Sequence, residues 1–155
     1  MAAAGRALKP HAVLFVCGLN AIRSPMAAAM FRQLFGRTAY VGSAGVRKGE
    51  LDPFAIAAMD EIGVDIHRHR PMTIEDLEEW EGLNFDLIVT LSPEAHHRAL
   101  ELTRTQPVEV EYWATPDPSA AAGSREQQLD AYRHVRDQLL ARIKSRFAWR
   151  PGVNE

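Results

Sequence analysis

The chain has 155 residues, of which 46% are apolar and 25% charged, and it carries a formal net charge of −2 at pH 7. That length suits one domain with one hydrophobic core, and the near-neutral balance supplies no global basic field for nucleic acid or membrane. A single cysteine, Cys17, excludes an intramolecular disulfide and a cysteine-based zinc cluster and fits a reducing, cytoplasmic compartment.

Residues 1–10 are too short and too interrupted for a signal peptide, and no apolar run approaches membrane-spanning length. They are expected to form a loose tail, followed by one domain over residues 11–149 and a second tail over 150–155. Residues 11–16 read as a buried strand. A helix follows over 25–36, with Ser24 as a good N-cap, Pro25 in the first turn and Gly36 as its stop. A short strand over 39–41 is halted by Gly42-Ser43-Ala44-Gly45, and 46–51 form a loop. Asp52-Pro53 opens the next helix, which Gly63 ends. Residues 64–72 make a basic connection, and a short acidic helix runs from 73 to about 80. Residues 85–90 are a second strong strand. Ser92-Pro93 begins a helix to about 102, and 108–110 form a short strand. A loop over 113–118 leads to a last helix over 124–147, with Leu129, Tyr132, Val135, Leu139, Ile143 and Phe147 on its apolar face. Strands alternating with helices predict an α/β fold with a parallel sheet covered on both faces, whose site lies at the carboxyl ends of the strands.

Cys17 stands where the first strand ends, and Arg23-Ser24-Pro25 follows where a helix begins. Backbone N–H groups across this C-x5-R turn can curl into an anion nest, to which the helix N-terminus adds its positive dipole end. Gly18 allows a sharp bend, and Arg23 offers a planar fork for two phosphate oxygens. Positive surroundings of this kind favour a thiolate, which can attack phosphorus to give a phosphocysteine that water resolves. The spacing alone is a weak pattern, and a lone cysteine is more commonly an inert core group. The strand before Cys17 and the helix start after Arg23 favour the nucleophile.

A leaving group needs a proton, and Asp117, stiffened between Pro116 and Pro118, is the candidate general acid. Asp-Pro also starts helices, and Asp52-Pro53, directly before an apolar periodic run, is read that way. Asn20 and Ser43 are suited to pinning the loop by side-chain hydrogen bonds, and Ser24 can cap its helix, hydrogen-bond the thiolate, or both. The basic stretch His67-Arg68-His69-Arg70 is followed at once by Glu75-Asp76-Leu77-Glu78-Glu79, so it reads as a solvated loop and no nucleic acid is expected. His67, His69, His96 and His97 lack a recognisable ligand spacing, so no metal is expected. Trp80, Trp113 and Trp149 read as core or rim packing, with Trp113 or Tyr112 a candidate wall for a substrate slot. Arg47-Lys48 points to substrates with acidic surroundings.

The run Val13-Leu14-Phe15-Val16-Cys17 through Asn20, then Arg23-Ser24-Pro25-Met26-Ala27, resembles the signature of low-molecular-weight protein tyrosine phosphatases. The likeness continues in the family's order through Gly42-Ser43-Ala44-Gly45, Asp52-Pro53, His69-Arg70, Phe85-Asp86-Leu87-Ile88-Val89 and Pro116-Asp117-Pro118, over about residues 11–147. It implies a four-stranded parallel sheet in the order 2-1-3-4 with helices on both sides. It implies a hydrolase in which Cys17 is the nucleophile, Arg23 the phosphate ligand and Asp117 the general acid. Gly18, Leu19, Asn20, Ala21, Ile22 and Ser24 would surround a phosphate or other oxyanion, with Ser24 on the thiolate. Asn20 would hold the loop in a strained shape, helped by Ser43 and His69. The resemblance implies no metal and no organic cofactor, and a phosphorylated protein or small phosphomonoester as substrate.

The chain departs from the family pattern at four places. Gly18-Leu19 reverses the usual order, and Ala21-Ile22 stands where members often carry a second, redox-protective cysteine. Ser119-Ala120-Ala121 and Arg47-Lys48-Gly49 stand where aromatic residues line the phosphotyrosine slot. The altered loop and missing aromatics motivate a second reading, a catalytically weak phosphate or phosphoprotein sensor, against which Asp117 argues. Arsenate reductases share the fold and loop but pass electrons through further cysteines. With Cys17 alone, that activity would need glutathione or another external thiol.

Overall fold

The strand β1 (Ala12–Cys17) is buried along all but its first residue and feeds both sides of a sheet. Its alternating side chains explain the layering. Val13, Phe15 and Cys17 face one apolar cluster and Leu14 and Val16 the other. The computed structural model describes residues 10–151. In chain order the remaining elements are α1 (Arg23–Phe35), β2 (Tyr40–Gly45), α2 (Pro53–Asp60), α3 (Ile74–Trp80), β3 (Leu87–Thr90), α4 (Pro93–Leu102), β4 (Glu109–Tyr112) and α5 (Arg125–Arg146). A single 3-10 turn, Pro118–Ala120, precedes α5.

All strand pairs are parallel, in the order β2-β1-β3-β4. Helices α1, α2 and α5 cover one face, and α3 and α4 the other. The first face is bound by edge-on aromatic contacts: Phe31 lies 5.9 Å from Phe15 and 5.1 Å from Phe147, and Trp113 lies 6.0 Å from Phe15. Fully burying side chains of this size is worth roughly 1.5–3 kcal/mol each. Local chemistry sets the helix starts. The Asp52 and Ser92 side chains accept N-terminal N–H groups, and Thr73 and Ser124 form capping boxes, contributing about 1 kcal/mol per cap. Because β1 pairs with β2 on one side and β3 on the other, the connections leaving its carboxyl end diverge and open a crevice at Cys17.

Several sequence expectations are corrected. Strand β2 runs through Gly42-Ser43-Ala44-Gly45 instead of stopping there, because these small residues stay in register with β1 from Leu14↔Gly42 to Cys17↔Gly45. Helix α1 starts at Arg23, its N-cap is Ile22, and Ser24 lies inside the helix without capping it. Helix α2 ends at Asp60, three residues before Gly63, which has φ +76°. Trp80 is 63% exposed instead of packed. Pro10 is buried and so is not part of a loose tail. The rest of that expected tail, residues 1–9, and residues 152–155 at the other end lie outside the described residues. No helix among the described residues is long and apolar enough to cross a membrane.

Candidate active site

The turn from Cys17 to Ile22 has its carbonyl groups pointed outward. Those of Cys17, Gly18, Leu19 and Ala21 accept the N–H groups of Val46, Arg47, Gly49 and Asp52, at 2.8–3.2 Å. The Ile22 carbonyl accepts the Met26 N–H at 3.1 Å, and the Asn20 carbonyl lies 3.2 Å from His69 Nε2. In contrast, no backbone N–H from Gly18 through Arg23 donates to a protein acceptor among the described residues. A row of free donors backed by committed carbonyls at a helix N-terminus is an anion nest.

Asn20 holds this shape. It is fully buried and has φ +55°, a left-handed conformation that asparagine tolerates better than most residues. Its Nδ2 donates to Ser24 Oγ at 2.8 Å, and its Oδ1 accepts the Met72 N–H at 2.9 Å. His69 Nε2 faces both Asn20 Oδ1 and the Asn20 carbonyl oxygen. Both are acceptors, so Nε2 carries the proton. Burial holds the His69 imidazole below its ordinary pKa, partly offset by that bond to the Asn20 backbone. Ser43 was expected to join this support, but its side chain makes no hydrogen bond among the described residues. From β2, the Ala44 carbonyl lies 3.4 Å from Ser24 Oγ, and the Gly45 N–H donates to the Met72 carbonyl at 2.8 Å.

Cys17 is 2% exposed, and its Sγ lies 2.9 Å from Ser24 Oγ. Either atom of this pair can donate, and Ser24 Oγ also accepts from Asn20 Nδ2 and reaches the Ala44 carbonyl. Arg23 Nη1 donates to the Thr115 carbonyl at 2.9 Å, tying the guanidinium to the loop after β4. That loop brings Asp117 to the same small cavity. Cys17, Leu19, Ala21, Ile22, Arg23, Asp117 and Ser119 line it together. The three residues on which the chemistry was expected to turn, separated by up to 100 positions in sequence, therefore meet.

Neither candidate aromatic wall lines the cavity. Trp113 is 3% exposed and packed between Phe15 and Phe147, and Tyr112 stacks on His96 at 5.0 Å. Glu94, in the first turn of α4, was not anticipated. It pairs with Arg47 at 2.6 and 3.3 Å, and a Cβ on Gly18 would lie 3.4 Å from its Oε1 and 4.0 Å from Arg23 Nη2. The ion pair thus borders the cradle at Gly18. Lys48 is likewise paired, with Asp76 at 3.2 Å. Both cations of the 46–51 loop already have carboxylate partners, so that loop is not the free acid-seeking surface its sequence suggested. His67 turns its Nδ1 to Asp65 at 2.7 Å, which raises its pKa.

A thiol at the floor of an anion nest, an arginine beside it and a carboxyl group at the mouth can together bind a tetrahedral oxyanion, attack its central atom and protonate a departing oxygen. Comparison with known proteins agrees with that class. Residues 12–148 match the low molecular weight phosphotyrosine protein phosphatase family, and the chain belongs to it. An arsenate reductase of Bacillus subtilis (strain 168) is 35% identical over 134 residues, covering 85% of this chain and 91% of that protein. A solved arsenate reductase in the phosphate binding state is 28% identical with a TM-score of 0.67, covering 88% of this chain and 96% of the other. A tyrosine phosphatase of Erwinia amylovora shares the fold, with a TM-score of 0.70 at 18% identity, covering 90% and 91% of the two chains.

Proposed function

We propose that the chain is a phosphoric monoester hydrolase, and specifically a protein tyrosine phosphatase, acting through a phosphocysteine on Cys17. The observation that carries this reading is the meeting of Cys17, Arg23 and Asp117 on one cavity beside the unpartnered N–H groups of the turn. Arg23 and those N–H groups bind the phosphoryl oxygens. Cys17 Sγ forms a bond to phosphorus as the ester P–O bond breaks, and Asp117 gives its proton to the departing oxygen. Water then attacks phosphorus, Asp117 takes back a proton, phosphate leaves and the thiolate returns. Ser24 stabilises the sulfur in both steps, and Asn20 with His69 holds the loop. The substrate is a phosphorylated protein or small phosphomonoester. A free nucleophilic thiol suits a reducing, cytoplasmic setting.

The test is kcat/KM on p-nitrophenyl phosphate and phenyl phosphate without added metal. Cys17→Ser should abolish turnover of both. Asp117→Ala should cost on the order of 10²–10⁴-fold on phenyl phosphate and less on p-nitrophenyl phosphate, whose leaving group departs without a proton. A folded wild-type protein that binds phosphate or vanadate but turns over neither ester would overturn the hydrolase reading in favour of a sensor.

The name of the Bacillus relative supports a second reading, arsenate reduction on the same thiol. Cys17 would displace one arsenate oxygen as water. Because Cys17 is the sole cysteine, an external thiol must then attack its sulfur, so that the two thiols form a disulfide and supply the two electrons that release arsenite. Arsenate-dependent glutathione consumption, lost in Cys17→Ser, supports this reading, and its absence beside ester turnover rejects it.

A further inference from the structure

We propose that Ser119 is a positioning residue for Asp117: its hydroxyl and its backbone N–H fix one carboxyl oxygen so that the other carries the proton into the cavity. This role rests on the reading of Asp117 as the general acid. Asp117 Oδ1 accepts the Ser119 N–H at 2.9 Å and the Ser119 Oγ–H at 2.7 Å, while Oδ2 has no protein donor among the described residues. Both residues line the cavity that holds Cys17.

The chain contains its own control. Asp52-Pro53-Phe54 makes the same capping bond, with Asp52 Oδ1 accepting the Phe54 N–H at 2.7 Å. There the second oxygen accepts the Tyr132 hydroxyl at 2.8 Å, and both oxygens are consumed by structure. In Asp117-Pro118-Ser119 the hydroxyl bonds to the oxygen the N–H already holds, and the other stays open. A neutral carboxyl group puts its proton on the oxygen not already accepting. With the N–H alone, the carboxyl group can turn and exchange its two equivalent oxygens. A second donor to Oδ1 opposes that rotation, so the proton on Oδ2 stays available to a departing oxygen. Ser119 also occupies the position where the resemblance leads one to expect an aromatic wall, so this chain has a donor there in place of a ring.

The test compares wild type, Ser119→Ala, Ser119→Thr and Asp117→Ala on p-nitrophenyl phosphate and phenyl phosphate. The expected result for Ser119→Ala is about tenfold lower kcat/KM on phenyl phosphate, the upper end of the scale for one ordinary hydrogen bond, with p-nitrophenyl phosphate changed less than about twofold. Ser119→Thr, which keeps the hydroxyl, should restore the phenyl phosphate rate. Equal losses on both esters, or a loss that Thr does not restore, would overturn the positioning role and leave Ser119 as a wall of the slot. If Asp117→Ala itself shows no greater loss on phenyl phosphate than on p-nitrophenyl phosphate, the general-acid reading fails and the Ser119 proposal falls with it. If Asp117→Ala shows that greater loss and Ser119→Ala does not, only the Ser119 proposal fails.

Discussion

Asn20 does at one position what several residues would otherwise have to share. Its positive φ turns the chain back on itself, and its side chain binds both Ser24 and the 72 position while its carbonyl faces His69. These contributions separate by substitution. Asn20→Gly keeps the backbone conformation and loses the side-chain bonds, each worth about 0.5–1.5 kcal/mol. Asn20→Ala adds the cost of left-handed backbone for a residue with a Cβ, about 1–2 kcal/mol. Denaturant unfolding should therefore rank wild type above Asn20→Gly and Asn20→Ala last. The polar residues at 20 and 24 were legible as loop-pinning candidates because short polar side chains at a strand-to-helix turn have few other uses. What they would bind was not. Ser24 could be read as a cap, as a partner of the thiol or as both, and it lies inside α1 with its Oγ 2.9 Å from Cys17 Sγ, while Ser43, expected to help hold the loop, makes no side-chain hydrogen bond among the described residues. Those outcomes depend on where β2 lies in space, which no local spacing encodes.

At the scale of elements, the carboxyl end of β2 is pressed directly against the nest. A Cβ on Gly45 would come within 2.3 Å of the Arg47 carbonyl oxygen and 2.8 Å of the Asn20 backbone nitrogen. Both are backbone atoms, so nothing flexible can yield. A Cβ on Gly42 in the same strand would meet side-chain atoms instead, the Phe85 ring at 3.0 Å and Leu14 Cδ1 at 3.5 Å. We expect Gly45→Ala to push the 46–49 segment off the turn and lower kcat/KM at least tenfold, with a stability cost of about 1–3 kcal/mol. Gly42→Ala should keep near-wild-type turnover. Kinetics beside thermal melts of both variants check the contrast, and equal effects would show that the close approach at Gly45 is not needed for function. The sequence exposed the glycines but misread them as a strand stop, because glycine marks both a turn and a tight passage of backbone past backbone. The starts of α2, α3, α4 and α5 were readable because caps are local. The Arg47–Glu94 pair, 47 positions apart, was not.

Across the whole molecule, side chains tie segments distant in sequence to the turn and its helix. His69 comes from the connection between α2 and α3, and Arg23 reaches forward to the loop carrying Asp117. The His69 tie is sensitive to pH. Its folded pKa lies below the ordinary 6.5 because of burial, so the unfolded chain binds this proton more readily. The stability it contributes is complete above about pH 6.5 and is lost as pH falls through the folded value. Melting temperature should drop more between pH 7.5 and 5.5 in wild type than in His69→Gln, and parallel curves would rule the contribution out. The sheet order was legible through resemblance, and the joining of Cys17 with Asp117 followed from placing both at carboxyl ends of strands. The burial of Trp113 against Phe15 and Phe147 agrees with its reading as core packing, and the alternative of a slot wall does not hold.

The outward-facing carbonyls of the turn have one further consequence. Every one of them is engaged by its own scaffold, so the donor array stands ready before any ester arrives and little reorganisation accompanies filling it. Such a receptor responds to the shape and charge of a tetrahedral anion and is indifferent to whether an organic group is attached. On the proposed reaction, inorganic phosphate is therefore a competitor as well as a product, and the ambient phosphate concentration becomes a throttle on the rate at which the protein clears its substrates.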